Sequence, residues 1–254
     1  MNRGGALQIK DLSRNFGGLV AVNNVSLTIE PGERRAVIGP NGAGKTTLFN
    51  LLSGELPPLN GEILLNGQDI TTTPVHERVR LGLGRTFQRN SLFLNLTVFE
   101  NIRLALQSKH GVAHRAFVRV EHLAALSADS EKVLAEFDLL DRARVPASDL
   151  SYGEQRQLEV ALALATATQV LLLDEPTAGM SPAETTSMTK FIRNLPRALT
   201  LVIVEHDMDV VFNLADRITV LHYGQVIADG TPAEIKNDPQ VVEVYLGLEE
   251  KLTS

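Results

Sequence analysis

The run Gly39-Pro40-Asn41-Gly42-Ala43-Gly44-Lys45-Thr46-Thr47 constrains this chain more than any other feature. It lies between a β-like segment, Arg35 to Ile38, and a helical segment, Lys45 to Ser53. Cradling a di- or triphosphate requires backbone N–H groups turned inward, and bulky side chains obstruct that turn. Gly39, Gly42 and Gly44 permit it, and the helix N-terminus that closes the loop favours an anion through its dipole. Lys45 supplies a point charge for β- and γ-phosphate oxygens, and the Thr46 hydroxyl is a hard oxygen ligand of the kind Mg²⁺ takes. A chain built round this loop is an α/β protein that binds a nucleoside triphosphate.

A second segment, Val170-Leu171-Leu172-Leu173-Asp174-Glu175, is a short apolar run without alternation, which suits a parallel strand buried on both faces. Its two acids come at the strand end, where an α/β sheet places its ligand sites. One carboxylate, Asp174, is suited to hold Mg²⁺, and Glu175 to polarise an attacking water. The third segment is Leu150-Ser151-Tyr152-Gly153-Glu154. Ser151 with Glu154 reads as an ordinary capping box, yet a helix N-terminus with a hydroxyl and a glycine also suits a γ-phosphate.

Composition narrows the rest. The chain has 254 residues with a net charge of −6, which argues against nucleic acid as the main partner, because phosphate backbones are bound by clustered Lys and Arg. With no cysteine there is no disulfide, thiolate metal site or thiol catalysis. No apolar run approaches the roughly 20 residues of a membrane helix, and residues 1–7 hold no apolar signal segment, so a chain that is not exported is expected. His110 and His114 stand four apart without a clear third ligand, and the stretch from Arg103 to His122 reads as a solvated, partly basic face.

The order of elements predicts one cassette. Strand-like runs at 7–9, 25–29, 35–38 and 61–65 read as antiparallel strands feeding a strand–loop–helix unit. From Thr97 to about Pro146 apolar residues recur at helical spacing, opened by the capping box Thr97-Val98-Phe99-Glu100. Val133, Leu134, Phe137 and Leu140 are expected to form one apolar stripe there. After Pro146 the α/β rhythm returns, with helices opened by Ser151/Glu154, Ser181/Glu184 and Thr231/Glu234. The expected organisation is an α/β core over 1–88 and 148–254, including an antiparallel β subdomain, and a helical subdomain over 89–147.

Taken together, the segments Gly39–Thr46, Gln88, 97–147, Leu150–Glu154, Leu171–Glu175 and His206 resemble, in order and over essentially the whole chain, the ATP-binding subunits of ABC transporters. The resemblance implies a P-loop NTPase core with a parallel sheet, an antiparallel β subdomain and an inserted helical subdomain, and a Mg²⁺-dependent ATPase. It implies that Phe16 stacks on adenine with Val22 packing nearby. Asn41, Gly42, Ala43, Gly44, Lys45, Thr46 and Thr47 would cradle the phosphates, and Gln88, with Thr46 and Asp174, would attend the metal. Glu175 and His206 would serve catalysis beside Lys45. Ser151, Gly153 and Glu154 would face the γ-phosphate held by a second cassette, in a homo- or heterodimer. Tyr152 stands where Gly is commonest in the family, Glu154 where Gln is commonest, and Ser181 where many relatives carry Asp.

The Arg85-Thr86-Phe87-Gln88 run, the Tyr152 of the third segment and the Tyr245-Leu246-Gly247 ending resemble the subgroup that serves importers of branched-chain and related amino acids. That subgroup implies membrane permease partners, a periplasmic solute-binding protein reached through them, and a peripheral place on the cytoplasmic face of the membrane. Phe87, Leu92, Phe93 and Leu94 are the expected permease contacts. The stretch from Gly230 to Gly247 also occurs in lipopolysaccharide-export ATPases. Two further alternatives are a soluble ABC ATPase outside transport and a nucleotide-binding regulator without turnover.

Overall fold

In a computed structural model of the chain, residues 4–86, 92–109, 120–166 and 168–252 are described. The chain begins with a hairpin, β1 (Leu7–Phe16) and β2 (Leu19–Ile29), then β3 (Arg34–Ile38) and α1 (Lys45–Ser53). β4 (Asn60–Leu65), the short β5 (Gln68–Asp69), α2 (Val75–Arg80) and β6 (Leu83–Arg85) follow. Next come the helices α3 (Val98–Lys109), α4 (Val120–Glu136) and α5 (Tyr152–Ala165). β7 (Val170–Asp174), α6 (Pro182–Asn194), β8 (Thr200–Val204), α7 (Met208–Leu214), β9 (Arg217–His222), β10 (Gln225–Gly230), α8 (Pro232–Lys236) and α9 (Pro239–Leu252) complete it.

Two compact units emerge. The first comprises 1–85, 169–176 and 195–254, and the second 86–168 and 177–194. In the first unit, β2-β1-β4-β5 form an antiparallel sheet, and a six-stranded sheet runs β10-β9-β3-β8-β7-β6. Strands β9, β3, β8, β7 and β6 are mutually parallel, and β10 pairs antiparallel at one edge. Every residue of β3, β7 and β8 is buried, as expected of parallel strands covered on both faces. One apolar cluster joins β1, β2 and β4 to α1 and to β7 and β8, so the two sheets and the loop-bearing helix share a core.

The hairpin strands are longer than their apolar runs suggest. Register shifts between Ile9 and Leu12 and between Leu12 and Asn15 interrupt the period-two pattern, so polar residues continue both strands without breaking the pairing.

In the second unit, the Thr97 capping box opens α3, with Thr97 N–H donating to Glu100 Oε2 at 2.8 Å and Glu100 N–H to Thr97 Oγ1 at 3.2 Å. The expected stripe Val133–Leu134–Phe137–Leu140 needs correction. α4 ends at Glu136, and Asp138 takes φ 58°. Leu139 N–H then donates to Leu134 O at 2.8 Å, closing a Schellman turn. That turn rotates the following residues, so Leu134, Phe137 and Leu139 are buried while Leu140 is 49% exposed. α5 and α6 also belong to this unit: Phe137 meets Phe191 of α6 with ring centroids 6.1 Å apart.

A phosphate loop and an acidic strand tip on one sheet edge

The strand order builds the site. β3, β8 and β7 are neighbours and parallel, so their C-terminal ends open on the same edge of the sheet. The loop 39–44 leaves β3, Asp174 ends β7 with Glu175 after it, and His206 follows β8 within two residues. Ligands of open α/β sheets sit at such an edge.

Gly44 is the N-cap of α1 at φ 104°, and a Cβ there would collide with the Ala21 carbonyl oxygen of β2. Only glycine fits that approach, and the loop is thereby pressed against the β1–β2 hairpin. The β9–β10 turn braces the other side, with Gly224 N–H donating to Ala43 O at 2.9 Å and Asn23 N–H to Gly224 O at 2.8 Å. Asn41, Gly42 and Thr46 are exposed, Thr47 is half-buried, and Ala43 and Lys45 are buried. Lys45 Nζ donates to Gly39 O at 2.6 Å and Pro40 O at 2.9 Å. Burial pulls the Lys45 ammonium below its ordinary value, and the charges of Glu175 and Asp174 pull the other way, so loop and acidic tip share one field.

Glu175 holds φ 47° and donates its N–H to Val204 O at 2.9 Å, a left-handed non-glycine conformation fixed by the neighbouring strand. Its Oε1 lies 2.6 Å from His206 Nε2. Of the Asp174 carboxylate, Oδ2 accepts from Arg85 Nη2 at 2.6 Å. Oδ1 is buried and has no hydrogen-bond partner among the described residues. An orphaned carboxylate oxygen beside a phosphate loop and an exposed Thr46 hydroxyl is a donor set that fits Mg²⁺, which takes one or two protein oxygens and completes its shell with phosphate and water. Among the described residues no group of three or more His, Cys, Asp or Glu could hold a metal by protein ligands alone.

Phe16 ends β1 at 45% exposure, under the Arg14 guanidinium at 5.3 Å, so its ring is a surface feature and not core. Val22 is buried in the hairpin core. Gln88 and Phe87 lie outside the described residues, as do His110, His114, Arg115 and Arg119. Leu92 is buried, whereas Phe93 and Leu94 are exposed.

In the second unit, Ser151 caps α5, and the Ser151–Glu154 capping box closes in both directions, with Ser151 N–H donating to Glu154 Oε2 at 2.9 Å. Partial burial pushes the Glu154 carboxyl up. Hydrogen bonds from Ser151 and from Arg142 Nε, at 2.8 Å, outweigh it and hold the group below its usual value. The charge of Glu154 is therefore spent on its own helix terminus and on Arg142. Tyr152 Oη donates to Ala178 O at 3.2 Å, and Glu184 accepts from the Gly153 N–H, which laces the starts of α5 and α6 together. A cavity of about 470 Å³ opens beside Ser151, Gly153 and Glu154, lined also by Arg142, Gln157 and the first turns of α6 from Ala183 to Met188.

Sequence reasoning missed Arg85, Arg142 and the bracing Tyr223-Gly224 turn. Only an arginine immediately before the Thr86-Phe87-Gln88 run was visible, with nothing local to name its partners.

Comparison with known proteins accords with this geometry. Residues 22–178 match the family model described as "ABC transporter", and residues 225–251 match one described as "Branched-chain amino acid ATP-binding cassette transporter". The high-affinity branched-chain amino acid transport ATP-binding protein LivG of Escherichia coli K12 is 41% identical over 248 residues, covering 95% of this chain and 97% of the relative. BraF of Pseudomonas aeruginosa, which carries the same description, is 41% identical over 251 residues, with the same coverage of 95% and 97%. The solved ADP conformation of an ATP-binding cassette of an ABC transporter superposes with a TM-score of 0.83 at 29% identity, covering 96% of this chain and 99% of the other. The chain belongs to the family of ABC transporter ATP-binding proteins.

Proposed function

We propose that this chain is the ATP-hydrolysing subunit of an ABC importer for branched-chain or related amino acids. The observation that carries the hydrolase reading is the pairing of Glu175 with His206 at 2.6 Å on the sheet edge that bears the phosphate loop. The match of the C-terminal segment and the names of full-length relatives favour an amino-acid importer over lipopolysaccharide export.

In this reading the loop N–H groups and Lys45 bind the β- and γ-phosphates of ATP, and the exposed Phe16 ring stacks on adenine. Thr46, Asp174 and Gln88 would hold Mg²⁺, which would supply charge neutralisation for the phosphates when bound. Glu175 orients and deprotonates the attacking water, and His206 fixes the Glu175 carboxylate and reaches the γ-phosphate. Both polar groups stand preorganised, which is how phosphoryl transfer is accelerated when little covalent chemistry falls to the protein. Ser151, Gly153 and Glu154 serve a second cassette, and permease chains couple to the helical unit. Among the described residues no helix is long and apolar enough to cross a membrane, so a membrane role requires those partners. A periplasmic binding protein delivers the solute to them.

The test is Glu175→Gln, which keeps shape and removes the base. Phosphate release is expected to fall by about 10²- to 10⁴-fold, the usual contribution of a positioned general base, while affinity for a fluorescent ATP analogue stays within a few-fold of the parent. Near-parental turnover in that variant would remove Glu175 from the mechanism.

A further inference from the structure

Arg85 closes β6 and is the last residue of the first unit before the chain enters the second. Its side chain is 8% exposed and that of Asp174 1%. Nη2 donates to Asp174 Oδ2 at 2.6 Å, while Nη1 reaches Asn50 Oδ1 at 2.7 Å, Ser53 Oγ at 3.1 Å and Glu55 Oε1 at 3.1 Å. The Phe49 ring lies 5.9 Å from the guanidinium carbon. Asn50 and Ser53 belong to α1, the helix whose first residues are Lys45 and Thr46. One end of α1 therefore carries the phosphate loop, and the other grips the guanidinium that grips Asp174.

A carboxylate turns about a soft, two-fold torsion, so which oxygen faces a ligand is decided by the partner of the other oxygen. We propose that Arg85 is the positioning residue of the divalent-cation site, holding Asp174 Oδ2 so that Oδ1 stays free and aimed. This rests on the reading of Asp174 as a ligand of Mg²⁺ with ATP. The arrangement places two of the proposed protein oxygens, those of Thr46 and Asp174, under the control of one helix although they lie on different segments.

Charge and position make opposite predictions here. If Arg85 acted only by its charge, removing it would leave Asp174 more negative and tighten cation binding. If it acts by position, removing it lets a dry carboxylate turn toward other donors such as Lys45, and binding weakens. Position decides because, among the described residues, Oδ1 has no partner of its own to hold it.

The experiment is a Mn²⁺ titration of the full chain with a non-hydrolysable ATP analogue, followed by electron paramagnetic resonance, so that bound cation and not turnover is read. Arg85→Met is expected to raise the half-saturating Mn²⁺ concentration about tenfold, in line with the loss of a partner that orients a metal ligand. Analogue affinity in chelator should stay within about twofold, since uncomplexed phosphate binding uses the loop. Arg85→Lys, which restores charge without the planar fork, should behave as Arg85→Met. Asn50→Ala, which keeps Arg85 and frees its far end, should shift the titration the same way by a smaller factor and serves if the arginine variants do not fold. Unchanged or tighter Mn²⁺ binding in these variants overturns the proposal. A parent protein whose analogue binding ignores Mn²⁺ overturns the metal-site reading itself, and the proposal with it.

Discussion

Arg78 offers the sharpest test of how the phosphate-loop helix is held. Its side chain is among the largest fully buried ones, at 2% exposure. Nη1 donates to Leu51 O at 2.8 Å and Leu52 O at 2.6 Å, Nε to Thr73 O at 2.8 Å and Nη2 to Thr71 O at 2.9 Å. Two of these are last-turn carbonyls of α1, groups a helix cannot satisfy internally. Burial pushes the Arg78 guanidinium down to about 10, with the Asp69 charge pulling back, so the cation persists at neutral pH. In Arg78→Met, Leu51 O keeps the Gly54 N–H at 3.2 Å, and the other three carbonyls lose the guanidinium. A buried unsatisfied polar group costs roughly 1–3 kcal/mol. Three such groups come to roughly 3–9 kcal/mol, and release of the buried charge offsets part of this, so a loss of about 3–5 kcal/mol is expected. Amide hydrogen exchange over residues 48–54 reads that local loss, as an acceleration of roughly two to three and a half orders of magnitude at about 1.4 kcal/mol per decade. Exchange within fivefold of the parent would refute the argument that these bonds anchor α1.

Two other perturbations follow from the same geometry. Gly44→Ala places a methyl against the Ala21 carbonyl at a backbone angle hostile to side chains, so the analogue affinity should drop at least tenfold while β-sheet circular dichroism is retained. A parental binding isotherm would contradict the loop's close packing. On acidification, the capping carboxylates Glu100, Glu154, Glu184 and Glu234 all sit below their ordinary value of 4.5, the first, third and fourth through hydrogen bonds from their cap residues. For Glu154, burial opposes the shift and the Ser151 and Arg142 hydrogen bonds prevail. A depressed folded value means the stabilisation is complete above 4.5 and drains away below it. Helix loss by circular dichroism should therefore set in below pH 4.5 and be shallower in Glu154→Gln; a Glu154→Gln curve identical to the parent's would show that this cap contributes nothing.

Much of the site could be read along the chain because its parts are local. A glycine-rich turn with Lys45 and Thr46, an apolar run ending in Asp174-Glu175 and four Ser/Thr–Glu capping boxes are each settled within a few residues, and the boxes close as spacing predicts. Phe16 could not be placed that way, since an aromatic at a strand end serves core and surface equally well, and only its exposure separates them. The stripe through Leu140 failed for a related reason: helical period holds only until a left-handed residue interrupts it, and Asp138 is not a glycine that would have warned of the turn.

The amino-acid order alone determined the nucleotide loop, the acidic strand end, the helix starts and the alternation of sheet and helix, because hydrogen bonding over three or four positions and strand burial are written in neighbours. Tertiary structure alone decided that β8 lies between β3 and β7, which brings residues 39–45, 174–175 and 206 to one edge. It also decided that Arg85 meets both Asp174 and α1, across 89 and 35 positions of chain, and that Arg78 meets Leu51 and Leu52. The reason is physical: a buried cation must find its acceptors wherever the fold closes, and no local pattern records the address of a partner so far along the chain.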